Sequence, residues 1–368
     1  MVVTLRGRSV GQAARTCADA LAALLRPQGR PAYADGIAAG VAIAGPLVFG
    51  ARTGHPGTGA TAALCAVLMA MPLPPGAGTA ERVRHLAARG LWVTAAGIYV
   101  ASAGRSVAAL APGVAAAACA GALLPRVGTT AALAVLLFGI TGEGGSLSQW
   151  PGVVQAVGCA WTALLLLPRP WRTRFAGDGA GRNPRALPGP GGTTGAGGHE
   201  SAPADLRTSA PPRARGRLIR HAVRTGTLTG AVTAVTGWQG SLWGQGHWLV
   251  TSLLLSLQPT GRETRTKAVK RLVGNALGGA VAALLLLCRP GPAAVAVLVG
   301  VSGAVAYTFR PANYAYWSLA SPVLLLLLSD YDCPLPWWAA VVRVGMVLSG
   351  GAVAVLASRW LWPAPDDT

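Results

Sequence analysis

Between Arg271 and Arg289 the chain reads LVGNALGGAVAALLLLC (Leu272–Cys288), a run without a single charged side chain. Its apolar residues do not alternate with polar ones, as on a half-buried strand, and leave no polar stripe of the kind a surface helix shows. A helix that is apolar all round belongs in lipid or deep inside a large core. Blocks of the same kind lie before it, at about Gly36–Ala51, Gly57–Leu73, Leu91–Ala103, Val107–Leu124, Thr129–Thr141, Gly152–Leu167, Ile219–Trp238 and Trp243–Leu257. Three more follow, at Ala293–Phe309, Tyr314–Ser329 and Trp337–Trp362. With 52% hydrophobic and 12% charged residues, the composition lies far from the quarter charged of soluble domains. The expected fold is an all-α integral membrane protein of about twelve transmembrane helices. Several blocks fall short of the ~20 residues that a bilayer asks for, so they must recruit neutral flanks or thin the membrane locally.

The net charge of +19 comes from 31 Lys and Arg against 12 Asp and Glu. Nearly all the cations stand between apolar blocks and form no basic face interleaved with aromatics, which argues against nucleic acid and for positive-inside topology. With the amino terminus inside, the inner segments collect 27 cations and the outer ones only Arg52, Arg105 and Arg289. Both termini are then cytoplasmic. The six cysteines, Cys17, Cys65, Cys119, Cys159, Cys288 and Cys333, include no CxxC pair and mostly sit in apolar runs. They suggest neither a metal site nor a disulfide frame. No cofactor is implied.

Four divisions follow. Residues 1–34, with Arg6, Arg8, Arg15 and Arg26 around a stretch broken by Asp19, lack a signal's continuous apolar core and read as a cytoplasmic helix lying on the membrane. Residues 35–168 hold a first transmembrane half, and 217–362 a second. Between them 169–216 is rich in Arg, Pro and Gly, as in Pro188-Gly189-Pro190-Gly191-Gly192, and reads as a disordered cytoplasmic linker.

The halves share a plan. Pro72-Leu73-Pro74-Pro75, followed by Glu81, Arg82, Arg84 and Arg89, parallels Gln258-Pro259-Thr260, followed by Glu263, Arg265, Lys270 and Arg271. Arg89 and Arg271 are 182 positions apart, as are Gly97 and Gly279. Six blocks per half predict two parallel six-helix repeats related by an axis along the membrane normal.

The run His247-Trp248, an apolar stretch to Leu257, Gln258-Pro259-Thr260, Arg262-Glu263-Thr264 and Arg271-Leu272-Val273-Gly274-Asn275-Ala276-Leu277-Gly278-Gly279 resembles the fusaric acid resistance protein-like family, which includes aromatic acid exporters. Asn275 stands where that family usually has Thr. Arg343-Val344-Gly345 also looks like its last span. The match covers about 217–355; the first half shares the layout but lacks the aromatic-Trp pair. The resemblance implies an inner-membrane efflux protein for small organic acids, aromatic ones among them.

Candidate site residues follow from chemistry. Arg343 lies about six residues into the last apolar block, where a charge costs a few kcal/mol unless it is paired or wetted. It either grips a substrate carboxylate in its planar fork or snorkels outward or pairs with Asp330 or Asp332. Gln245, His247 and Trp248 at the start of one span, and Asn313 and Tyr316 at the start of another, combine flat rings with polar groups fit for an aromatic acid; interfacial anchoring explains such aromatics equally. Glu143 in Gly142-Glu143-Gly144-Gly145 is a candidate proton carrier or a solvated loop residue. Asp35, at the mouth of the first span, reads as a helix N-cap, and Gly36-x-x-x-Gly40 and Gly274-x-x-x-Gly278 as packing devices.

No P-loop, Ser/His/Asp set or paired catalytic carboxylates appear, so neither an enzyme nor an ATP-driven pump is expected. The reading is a proton-driven secondary exporter whose partners are the lipid bilayer and a small organic anion; oligomeric state is left open. A passive anion channel, or a membrane scaffold acting through its basic linker, are the alternatives.

Overall fold

The computed structural model describes residues 19, 22, 25–27, 29–73, 77–103, 106–141, 152–167, 212–240, 245–331 and 335–361. Among them are twelve α-helices and no strand. They are α1 (Tyr33–Arg52), α2 (Pro56–Met69), α3 (Thr79–Ala103), α4 (Val107–Leu123), α5 (Thr130–Thr141) and α6 (Val153–Leu166), then α7 (Pro212–Trp238), α8 (His247–Ser256), α9 (Gly261–Leu287), α10 (Pro292–Phe309), α11 (Tyr314–Asp330) and α12 (Trp338–Leu356). A π-helical turn, Ala357–Leu361, extends the last.

Five of these are long and apolar enough to cross a membrane: α1, α3, α9, α10 and α12 with its extension. Six more are shorter apolar helices, and α7 is long but opens on arginines. Each helix covers one of the expected blocks. The difference lies at the amino-terminal ends of α3, α7 and α9. The basic stretches ahead of Leu91, Ile219 and Leu272 are not separate segments but the first turns of the same helices, because no proline interrupts them. At α9 the Thr260 side chain accepts from the Glu263 amide at 3.3 Å and caps the helix. α7 begins at Pro212, inside the stretch read as linker, with proline in the position where its missing N–H loses nothing.

Asp35 corrects an expectation. α1 begins at Tyr33 with Ala32 as its N-cap residue, so Asp35 sits in the first helical turn and is not the N-cap. There its carboxylate meets the helix dipole and Arg82, 3.3 Å away on α3.

Helix packing places large apolar side chains outward. Leu277, Val281 and Leu284 on α9, and Val297, Val301 and Val305 on α10, are all exposed at helical spacing. Meanwhile Arg89, Arg271, Asn275 and Arg343 are buried. Stripes of this kind are at home against lipid tails and would be an aggregation hazard in water. Trp238, Trp337, Trp338 and Trp360 are exposed near helix ends, where interfacial tryptophans belong. The chain is therefore a helical membrane protein.

The first and second sets of six helices meet through α1 on α10 and α4 on α7. Both seams are lined by small residues. A Cβ on Gly40 would stand 2.7 Å from the Gly300 carbonyl, and one on Gly230 2.7 Å from the Ala115 methyl. Within the sets α3 packs on α5 and α6 as α9 packs on α11 and α12, and α2 packs on α6 as α8 packs on α12. The Gly274 and Gly278 pair lies against Ser318, Leu319 and Pro322 of α11. Both glycine pairs thus serve close helix contact, as read from their spacing.

Arg89 shows how a buried cation is made structural. From α3 it donates to the carbonyls of Met69 at 3.3 Å, Met71 at 2.5 Å and Pro72 at 3.0 Å, and to Arg126 at 3.2 Å. Those acceptors lie at the end of α2 and between α4 and α5, so one side chain ties two helix junctions together. Arg89→Met should therefore lower stability by about 3 kcal/mol, the cost of stranding several buried carbonyls. A thermal melt of the detergent-purified protein that matched wild type would refute this.

Candidate anion site in the carboxy-terminal half

Among the described residues four guanidiniums are buried, not one: Arg89, Arg224, Arg271 and Arg343. Arg89 and Arg271 sit at block edges, where hydropathy alone assigns them to loops, and Arg224 lies a few residues inside the Ile219–Trp238 block. They differ in what they touch. Arg224 on α7 donates to the Gln258 carbonyl that follows α8. Arg271 on α9 donates through Nε to Ser252 Oγ and through Nη1 to Tyr314 Oη, each at 3.3 Å.

Arg343 is another matter. It is 1% exposed, so it does not snorkel, and its Nε and Nη1 have no hydrogen-bond partner among the described residues. Its Cζ lies 3.4 Å from the centre of the Trp248 ring. Cation–π contact is worth roughly 2 kcal/mol when desolvated, well below the several kcal/mol that burying an ion costs. No described carboxylate reaches it; the side chains of Asp330 and Asp332 lie outside those described. The guanidinium edge is therefore a donor array short of acceptors.

Helix register sets this contact. Trp248 is the second residue of α8, and Arg343 is five residues beyond the start of α12, the helix that α8 packs against. One turn further along, Ser252 Oγ donates to the Val347 carbonyl at 2.7 Å, which fixes how the two helices face each other. His247 is buried with its ring 4.4 Å from that of Trp248. Gln245 Oε1 is buried just before them without a partner. Thr251 Oγ1, Asn275 Oδ1 and Ser318 Oγ are likewise buried and unsatisfied. Among the described residues such orphaned atoms gather in the second half, with His85 Nδ1 the exception. The corresponding helix of the first half, α2, buries Ala63, Leu64, Cys65, Ala66 and Val67 instead.

The expected site residues therefore separate into two groups. Arg343, Trp248 and His247 come together, with Gln245 next in chain. Asn313 and Tyr316 do not join them. Asn313 caps α11 by accepting from the Ala315 amide at 3.0 Å, and its Nδ2 donates to the Arg26 carbonyl at 3.0 Å. Tyr316 Oη donates to the Leu25 carbonyl at 2.7 Å. Both hold the segment before α1 against the α10–α11 turn, where Gly29 and Ala32 also donate to Ala312 and Thr308. Glu143 lies outside the described residues.

In that turn Arg310 covers the Trp317 ring, 4.3 Å from its centre, and its Nη1 lies 2.7 Å from the Met71 sulfur. Burial pulls its pKa below the ordinary arginine value, though arginine stays protonated in proteins.

A buried, partly unsatisfied guanidinium against a tryptophan, inside a lipid-facing helical bundle, defines a membrane protein with a candidate anion site in its second half. Residues 228–357, which hold both Trp248 and Arg343, match the family described as Fusaric acid resistance protein-like. The inner membrane protein YccS of Escherichia coli is 28% identical over 154 residues, 40% of this chain and 20% of that protein. An uncharacterized protein of Haemophilus influenzae is 27% identical over 150 residues, with the same shares. The matches thus span a fifth of the length of either relative. No solved structure matches the chain.

Proposed function

We propose that this protein is a secondary exporter of small organic acids, aromatic ones among them, in a bacterial inner membrane, driven by the proton gradient. The observation that carries the reading is Arg343: a cation buried against Trp248 with donors to spare suits a flat carboxylic acid. A carboxylate would satisfy the fork bidentately while the ring system packs beside the indole. His247 and Gln245 line the same helix entry. The family match over 228–357 and the E. coli relative's description as an inner membrane protein support the membrane and the class. Glu143 is the proposed proton carrier.

The proposed architecture is twelve spans in two parallel six-helix repeats, 35–168 and 217–362, joined by a cytoplasmic linker, with both termini inside. The recurring helix pairings of the two sets and the charge asymmetry favour it. The two repeats are not equal in chemistry, since the buried polar atoms lie mostly in the second. Proteoliposomes containing the purified protein and loaded with labelled benzoate test the function. Loss of label should accelerate when a proton gradient is imposed and should produce no single-channel current. Label loss equal to that of empty liposomes, with and without the gradient, would reject transport of this class.

A further inference from the structure

Arg343 lies toward the amino-terminal ends of α8 and α12; at the opposite end of the same bundle three other cations converge. Lys267 and Arg271 are one turn apart on α9 and both reach Tyr314, the first residue of α11. Arg271 Nη1 is 3.3 Å from the Tyr314 hydroxyl, and Lys267 Nζ stands 5.0 Å over its ring. Arg310, one turn before Tyr314, covers Trp317, one turn after it. The aromatic side chains at 314 and 317 thus form a floor on α11 with cations over both rings. Tyr307 extends it, its ring 4.9 Å from that of Trp317.

Electrostatics makes this gathering costly. Lys267 is repelled by both Arg310 and Arg271, and those two repel each other. Like charges in contact range cost up to about 4 kcal/mol at the effective dielectric of a protein surface. The described carboxylate that acts on the cluster is Glu263, an exposed residue one turn before Lys267. The three cations outnumber that one carboxylate by two, and Arg89, which repels Arg310, and Lys270, whose Nζ lies 3.2 Å from Asn313 Oδ1 beside Tyr314, add to the excess. The tyrosine hydroxyl, which accepts from Arg271, still has its own proton to donate. Arg271 itself is 3% exposed, whereas Lys267 and Arg310 are only half-buried, so the cluster opens outward from a buried base.

We propose that Lys267, Arg271 and Arg310, arranged around Tyr314, form a second anion site whose ligand is an organic dianion, a dicarboxylate. A dicarboxylate would neutralise two of these positive charges, a monocarboxylate only one. The site also has a direct line to the first. Arg271 Nε donates to Ser252 Oγ, Ser252 donates to Val347, and one turn along from those two residues are Trp248 and Arg343. An anion held at the outer cluster is thereby one guanidinium away from the Arg343–Trp248 contact. The assignment does not depend on Arg343 carrying cargo.

The test is calorimetric titration of the purified full-length protein with phthalate, a dianion at neutral pH, and with benzoate. Wild type should bind phthalate more tightly than benzoate. Lys267→Gln/Arg310→Gln should weaken phthalate by roughly tenfold or more, through lost charge-assisted contacts, and benzoate by less than about threefold. Arg343→Met should leave phthalate within about threefold, so failure of the Arg343 reading stays visible separately. Wild type binding phthalate no better than benzoate, or a double variant with undiminished phthalate affinity, would overturn the assignment. If the double variant does not fold, Lys267→Gln alone, at a half-buried position relieved of repulsion, must lower the phthalate-to-benzoate preference, and an unchanged preference overturns the site equally.

Discussion

Arg343→Met is expected to make the protein more stable and nearly inactive. The two effects share one cause. A guanidinium that is buried with Nε and Nη1 unsatisfied raises the energy of the folded state. Its stacking on Trp248 recovers roughly 2 kcal/mol of a desolvation cost of several. Methionine has similar length, fills the space with apolar atoms and carries no desolvation cost. The expected gain is about 1 kcal/mol or more, read as a higher melting midpoint in detergent. Transport of benzoate should fall by about 10–100-fold, the worth of charge-assisted hydrogen bonds to one carboxylate. Arg343→Lys keeps the charge but loses the planar fork, so it should fall about tenfold and gain little stability. A residue that only held helices together would behave the other way, as is expected of Arg89, with stability falling first. Wild-type efflux by Arg343→Met at equal membrane abundance would end the substrate-binding role.

Arg89 and Arg271 occupy matching places in the two halves, yet their surroundings differ in a way that composition hides. Arg89 is satisfied by four backbone carbonyls, whereas Arg271 meets two hydroxyls, which accept from it and can also donate. Carbonyls lock a guanidinium in place. Hydroxyls leave room for an anion to take part. The same asymmetry runs through α2 and α8, one packed with alanine and valine, the other carrying Thr251, Ser252 and Ser256.

Helices are legible here because lipid imposes one rule over long stretches. Ala293–Phe309 and Tyr314–Ser329, read from hydropathy, differ from α10 and α11 by one residue each. Charged helix ends are less legible, since hydropathy stops at an arginine while the backbone continues through it; that is why Arg89 and Arg271 read as loop cations although both are buried in helices. Arg343 and Trp248 stand out singly, a cation and an aromatic in apolar surroundings, but their contact joins residues 95 positions apart and depends on the register of α8 on α12. Asn313 and Tyr316 mislead for the same reason. Their polar groups suit a ligand, and only the path of the chain reveals that Leu25 and Arg26, almost 300 residues earlier, receive them.

The second large effect is expected from Gly278→Val, through the crossing of α9 and α11. Any side chain at 278 points at the Leu319 carbonyl and stands 3.1 Å from the Pro322 ring. One turn earlier, a Cβ on Gly274 would meet Ser318 Cβ at 2.5 Å. The obstacles are backbone and a proline ring, which cannot rotate aside, so the helices themselves must separate. Overpacking of this kind costs typically 1–3 kcal/mol where side chains give way, and more where they cannot. The expected loss is about 3 kcal/mol or greater, with a melting midpoint lower by about 5 °C or more. Separation of the two axes also pulls Tyr314 from Arg271, because those side chains bridge the same pair of helices one further turn along. Phthalate binding should then weaken together with stability. Gly345→Ala is the contrast, since a Cβ there meets nothing within 4 Å; helix propensity predicts no loss and up to about 1 kcal/mol of gain. If Gly278→Val melted like wild type while Gly345→Ala did not, helix contact at Gly278 would not be what holds α9 to α11.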